Sequence, residues 1–138
     1  MQIHLKKGEK IYVNGAVLRV DRRTSLEFLN DVDFLLENHV IQADDANTPF
    51  RQLYFVVQTM LMDPPNAGMT LELFKHLTHR AQTTLTSPAL VTALESADHK
   101  VAEGRYFDAL RALRSAFQAE DDLMRSNGIF EKRALQCK

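Results

Sequence analysis

The sequence predicts an α+β protein: an N-terminal antiparallel β-meander followed by a bundle of about four helices. Apolar residues alternate with a period of two through the first third of the chain, then recur at helical spacing of three and four. The switch falls at Asp44-Asp45-Ala46-Asn47-Thr48-Pro49, a polar stretch ending in a helix-start signal. With 138 residues, 45% hydrophobic and 25% charged, the chain is sized for one compact unit with its own core. Residues 1–43 are assigned to the strand layer, 44–126 to the bundle and 127–138 to a flexible tail.

Five short strands are expected around Ile3 and Leu5, Ile11 and Val13, Leu18 and Val20, Leu26 and Phe28, and Phe34 and Leu36, each with polar or charged residues between. Gly8 breaks the first pair. Asn14-Gly15 is a strong short hairpin signal, because both residues tolerate the positive φ of a type I′ turn. Such a layer must bury one face against something else.

The first helix starts at Thr48, a capping residue, with Pro49 at a position where no hydrogen bond is lost. It carries Phe50, Leu53, Tyr54, Val57, Met60 and Leu61 on one stripe, with Phe55 and Val56 outside it, so it is expected to be central and covered on most sides. Asp63-Pro64-Pro65-Asn66 stops it. A second helix spans about 69–85, and Ser87-Pro88 starts a third that ends near Gly104. A fourth spans about 105–125, aligning Tyr106, Leu110, Leu113, Phe117 and Met124.

Composition excludes several classes. The apolar run from Leu53 to Met62 is broken by Gln58 and falls far short of the roughly 20 residues of a spanning helix. The start Met1-Gln2-Ile3-His4-Leu5-Lys6-Lys7 lacks a secretion-type pattern, which places the protein in the cytoplasm. Cys137 is the single cysteine, so no disulfide or cysteine cluster forms within one chain. Glu72, His76 and His79 share a helix face but have no fourth ligand, and read as polar surface. The sequence holds no phosphate-cradling glycine loop, nucleophile elbow or His-Glu-x-x-His motif. Asp44-Asp45 and Glu120-Asp121-Asp122 are neighbours in sequence and not opposed carboxyls. No enzyme activity, metal or cofactor is expected.

Charge is the informative feature. The net charge of −1 conceals an uneven distribution. Residues 1–23 hold Lys6, Lys7, Lys10, Arg19, Arg22 and Arg23 against only Glu9 and Asp21, while residues 24–48 hold six carboxylates and no Lys or Arg. Local potential, and not the total, attracts a polyanion. Cations at two strand turns beside Tyr12 offer phosphate contacts next to a ring on which an unpaired base stacks. Solvated hairpin loops would account for the same charges. The candidate RNA-binding residues are Lys6, Lys7, Lys10, Tyr12, Arg19, Arg22, Arg23 and Arg51. Tyr54 and Tyr106 lie on apolar helix stripes and are assigned to the core.

Three blocks resemble the FlbT family of flagellar regulators: residues 5–17 (Leu5-Lys6-Lys7-Gly8-Glu9-Lys10 through Asn14-Gly15-Ala16-Val17), Thr48-Pro49-Phe50-Arg51-Gln52-Leu53-Tyr54-Phe55, and Gly104-Arg105-Tyr106-Phe107-Asp108-Ala109-Leu110. Asp21-Arg22-Arg23 falls where that family also tends to be basic. The resemblance implies a bacterial post-transcriptional regulator that associates with the flagellin mRNA leader and alters its translation and decay, with a companion protein, FlaF. It assigns no RNA-contacting residue. The rival reading is an adaptor or chaperone that grips flagellin or FlaF in a helical groove, which an exposed row such as Leu90, Leu94, Phe107 and Leu110 would favour and full burial would count against. Unpaired strand edges further suggest a homo-oligomer.

Overall fold

The computed structural model describes residues 2–136, with side chains described as far as Ser126. All five expected strands form: β1 Gln2–Leu5, β2 Lys10–Val13, β3 Ala16–Arg19, β4 Thr24–Glu27 and β5 Phe34–Leu36. Every pairing is antiparallel, but the order is not that of the sequence. β1 pairs with β4 in a two-stranded ribbon, while β3, β2 and β5 form a three-stranded sheet with β2 in the middle. Only β2 and β3 make a hairpin of sequence neighbours. Its turn is the expected one, with φ of 48° at Asn14 and 87° at Gly15.

Ile3, Leu5, Ile11 and Phe34 are buried together as a small strand core, on which Val13, Leu26, Phe28 and Phe107 pack. A fully buried aliphatic or aromatic side chain contributes roughly 1.5–3 kcal/mol, and ordering one residue's backbone costs about 1–2 kcal/mol. Four such residues cannot hold a strand layer of this size alone. The layer depends on the bundle, and two packing sites join them: Phe34 stacks on Phe107 with centroids 4.5 Å apart, and Leu35 belongs to the helical core.

That core is built on α1, Pro49–Met62, which is central as its apolar content demands. Thr48 caps it, its hydroxyl accepting from Arg51 N at 3.2 Å. α1 packs against α2 (Ala67–Thr84) and α4 (Tyr106–Ser115), and touches β2 and β5. α3 (Pro88–Ala102) packs on α4. Tyr54 is fully buried, donating to His39 O at 2.6 Å, and Gln58 holds Ile41 through both its amide atoms.

The expected fourth helix is two, because the chain tightens at Ala116 (φ −96°, ψ −5°) and α5 (Phe117–Gln136) sets off afterwards. The helix runs to Gln136 through the stretch assigned from sequence to a tail; Cys137 lies outside the described residues. Asp33 ties the layers. Its main-chain oxygen accepts from Asn14 N at the hairpin turn (3.1 Å), and its carboxylate accepts from Phe107 N at the start of α4 (3.0 Å). No helix among the described residues is long and apolar enough to cross a membrane.

Candidate nucleic-acid interface

Lys6-Lys7-Gly8-Glu9 forms a turn closed by Glu9 N donating to Lys6 O at 3.0 Å, with Gly8 at φ 83°, a left-handed position that suits glycine. Glu9 braces it, its Oε1 accepting from Lys6 N at 2.6 Å. The turn leaves β1 directly after the Leu5↔Thr24 pair, and Arg22 and Arg23 precede Thr24 on the partner strand. Lys10 faces Arg19 at the open end of the β2–β3 hairpin. Beyond that pair, Val20 N donates to Glu9 O (3.2 Å) and Gly8 N to Val20 O (2.8 Å).

Backbone pairing alone therefore puts both connecting loops side by side. Lys6, Lys7, Lys10, Arg19, Arg22 and Arg23 share one end of the strand layer. All but the half-buried Lys10 are exposed. Among the described residues a single ion pair touches the group, Arg22 Nε to Asp21 Oδ1 at 3.5 Å, and it is fully on the surface, where such pairs contribute little.

The acidic stretch that follows does not neutralise this end. Asp33 is engaged at α4, Asp45 accepts from Gln42 N in a short 3-10 turn, and only Glu37 reaches over, accepting from Lys10 N at 3.2 Å. Burial raises the pKa of Asp33, opposed by the backbone N–H groups of Phe107 and Tyr106.

Two of the sequence candidates lie elsewhere. Arg51 is held by Asp121 on α5 in a bidentate pair, Nη1 to Oδ1 at 2.7 Å and Nη2 to Oδ2 at 3.0 Å, with its guanidinium 4.5 Å from the centre of the Phe117 ring. That hydrogen bond holds the Asp121 carboxyl below the ordinary range. Beside it Glu120, 3% exposed, accepts from Phe50 N at 2.8 Å and keeps Oε1 without a hydrogen-bond partner. Desolvation raises its pKa against the pull of Thr48, Phe50 and Arg51. Arg51 thus fastens α1 to α5. Tyr12 sits on the sheet face turned to the bundle, half-buried against the helical core, with Leu35 and Val17 as strand partners.

Sequence reasoning missed a second cationic group. Lys100, Arg105 and Arg111 line a shallow cleft of about 370 Å³ with Asp108, which pairs with Arg105 at 2.5 Å. The block Gly104-Arg105-Tyr106-Phe107-Asp108 was legible, but not that the turn at Gly104 (φ 75°) gathers cations from two helices. Among the described residues no three His, Cys, Asp or Glu side chains are placed to hold a metal ion, and Glu72 lies 3.8 Å from Lys75. The row whose exposure would favour a partner groove is consumed internally: Leu90, Leu94 and Leu110 are each 1% exposed, and Phe107 is half-buried against the strand core.

A family model described as flagellar protein FlbT matches residues 1–124. A probable flagellum biosynthesis repressor protein FlbT from Chelativorans sp. (strain BNC1) is 47% identical over 137 residues, covering 99% of this chain and 94% of that protein. Proteins of the same description from Allorhizobium ampelinum and Agrobacterium fabrum are 48% and 44% identical, each over 90% of this chain and 83% of their own length. No solved structure matches.

Proposed function

The chain belongs to the FlbT family of flagellar proteins, and from that we propose that it regulates flagellin synthesis after transcription, in the cytoplasm, as a binding protein and not an enzyme. On this reading it binds the leader of flagellin mRNA and alters its translation and decay. The description of its relatives as probable flagellum biosynthesis repressors supports repression as the direction of the effect. One observation supports the RNA contact most directly: backbone pairing brings the loops 6–9 and 20–23 together, so six cations occupy one end of the strand layer. Lys6, Lys7, Arg19, Arg22 and Arg23 are then the phosphate contacts, with Lys10 at their base.

A salt series tests this. The purified protein binds a flagellin leader more tightly than a scrambled leader, and log affinity falls with log salt at a slope of about −0.7 per phosphate contact. Equal affinity for both RNAs, or none, overturns it.

A second reading keeps FlaF or flagellin as protein partners. It is favoured by Met69 and Leu73, one turn apart on α2 and 80% and 49% exposed. Repeating the titration with FlaF separates the two, since binding that appears only with FlaF supports the adaptor. The free edge of β3, where Val17 is 62% exposed, is the place at which self-association would occur.

A further inference from the structure

Arg114 on α4 is a cation that the RNA reading does not use, and it lies between two cavities. One, of about 580 Å³, is an open cleft with Asn38, Asn47, His39 and Tyr54 in its walls, together with Asp45 and the Asp121 carboxylate that Arg51 already engages. The other, of about 130 Å³, is apolar, lined by Ile3, Leu36, Phe107 and Leu110 among others, with His39 and Arg114 as the polar residues of its lining. It lies where the strand core meets the helical core.

Arg114 is half-buried, and among the described residues no carboxylate comes within ion-pair distance of it. Its Nη1 donates to the Tyr54 hydroxyl at 3.2 Å, and that hydroxyl donates in turn to His39 O. The guanidinium is thus oriented by a neutral partner. Burial, and then Arg114 itself, push the His39 imidazole towards its neutral form. A cation drawn partly out of water without a counter-charge is costly, and a carboxylate would offset that cost with two parallel N–H···O bonds.

The cavity sets the rest of the ligand. A cavity of about 150 Å³ lined by Leu, Ile and Phe stays dry and takes a benzene-sized molecule. The space beside Arg114 thus takes one aliphatic side chain, and a long acyl chain does not fit.

We propose that Arg114 and this cavity receive the C-terminal residue of a partner polypeptide that ends in an aliphatic side chain. The side chain fills the cavity, the terminal carboxylate pairs with Arg114, and the preceding backbone leaves along the open cleft past Asn38 and Asn47, whose amides can meet peptide groups. The site is independent of RNA binding.

Calorimetric titration of the full chain tests it with four probes: an acetylated pentapeptide ending in leucine as the free acid, its C-terminal amide, the free acid ending in glycine, and octanoate. The leucine acid is expected to bind at least about tenfold more tightly than the amide, as loss of one charged hydrogen-bonding group implies. The glycine peptide is expected to be similarly weakened. In Arg114→Gln, with its melting temperature checked, the difference between acid and amide is expected to vanish. The ligand-side comparison stands even if that variant fails to fold. The proposal is overturned by no binding at millimolar peptide, by equal affinity for acid and amide, by an acid–amide difference that survives in Arg114→Gln, or by binding of octanoate alone.

Discussion

Arg51 and the Arg22-Arg23 pair carry the same guanidinium in opposite circumstances. Arg51 meets a bidentate carboxylate and an aromatic face, so its charge is used inside the molecule, joining residues 70 apart in sequence. Arg22 and Arg23 stand on an exposed bend, with one loose surface partner between them. The difference teaches that charge patterning locates cations, whereas only tertiary pairing decides which of them are free to meet a polyanion. It also divides the expected effects cleanly: damage at the α1–α5 junction should cost stability, and damage at the strand-layer end should cost RNA affinity.

The largest effect is expected at Glu120. Glu120→Ala removes the buried acceptor of Phe50 N, and an orphaned buried donor costs about 1–3 kcal/mol. The melting temperature should fall by several degrees, with RNA affinity intact in the folded fraction. Glu120→Gln sharpens the point through pH. Because burial raises the folded pKa of Glu120 above its ordinary 4.5, its contribution to stability is fully present below that value and is lost as pH rises through the folded pKa. The raised Asp33 acts in the same direction from its ordinary 3.8. Asp121 acts oppositely, its contribution being lost as pH falls through its lowered folded pKa. Between mildly acidic and neutral pH the wild type should therefore lose stability relative to Glu120→Gln, while His39, whose lowered folded pKa acts in the opposite direction, is common to both proteins and cancels in that comparison. Melting curves with the same pH dependence in the two proteins would contradict it.

Next in size is Arg22→Ala with Arg23→Ala. Removing these two phosphate-binding side chains should lower leader affinity by about tenfold and reduce the salt slope by about 1.4, leaving the melting temperature unchanged. Arg51→Ala should give the mirror image, a loss of about 1 kcal/mol after allowance for solvent screening, with RNA affinity and salt slope as in the wild type. If Arg51→Ala instead weakened RNA binding as much as the double variant does, the division between the two regions would collapse. The smallest effect is expected from Tyr12→Phe: the ring packs on the bundle, so filter-binding affinity should stay within about twofold, a change of under 0.5 kcal/mol.

Much of the fold was legible because local chemistry fixes it. Each strand overlaps its alternating pair, although Val20 and Phe28 fall one residue beyond β3 and β4 and β3 buries neither face; the Asn14-Gly15 turn has the expected positive φ, and Thr48-Pro49 opens α1. Strand partners were not legible, because a period of two says which face is buried and nothing about which edge is met. Hence β4 returning to β1, and β5 to β2, come from the structure alone. The break at Ala116 has neither Pro nor Gly to announce it, yet it starts the helix that carries Glu120 to Phe50 N and Asp121 to Arg51. The fate of Arg51 was hidden for the same reason. Of the candidate site, the six cations of residues 6–23 are gathered as their local spacing suggested, while Arg51 and Tyr12 depended on long-range packing. Arg114, inside an apolar stripe, gave no sign that among the described residues no carboxylate would pair with it.

Asp33 speaks through two voices at once, its main chain holding the hairpin turn and its side chain holding the first turn of α4. The orientation of the ribbon and sheet is consequently set from the bundle, like a compass needle aligned by a distant pole. A fragment ending before Pro49 would lose that bearing together with the packing its strands depend on, and a disturbance at the α3–α4 corner would turn the whole cationic end without altering one of its residues.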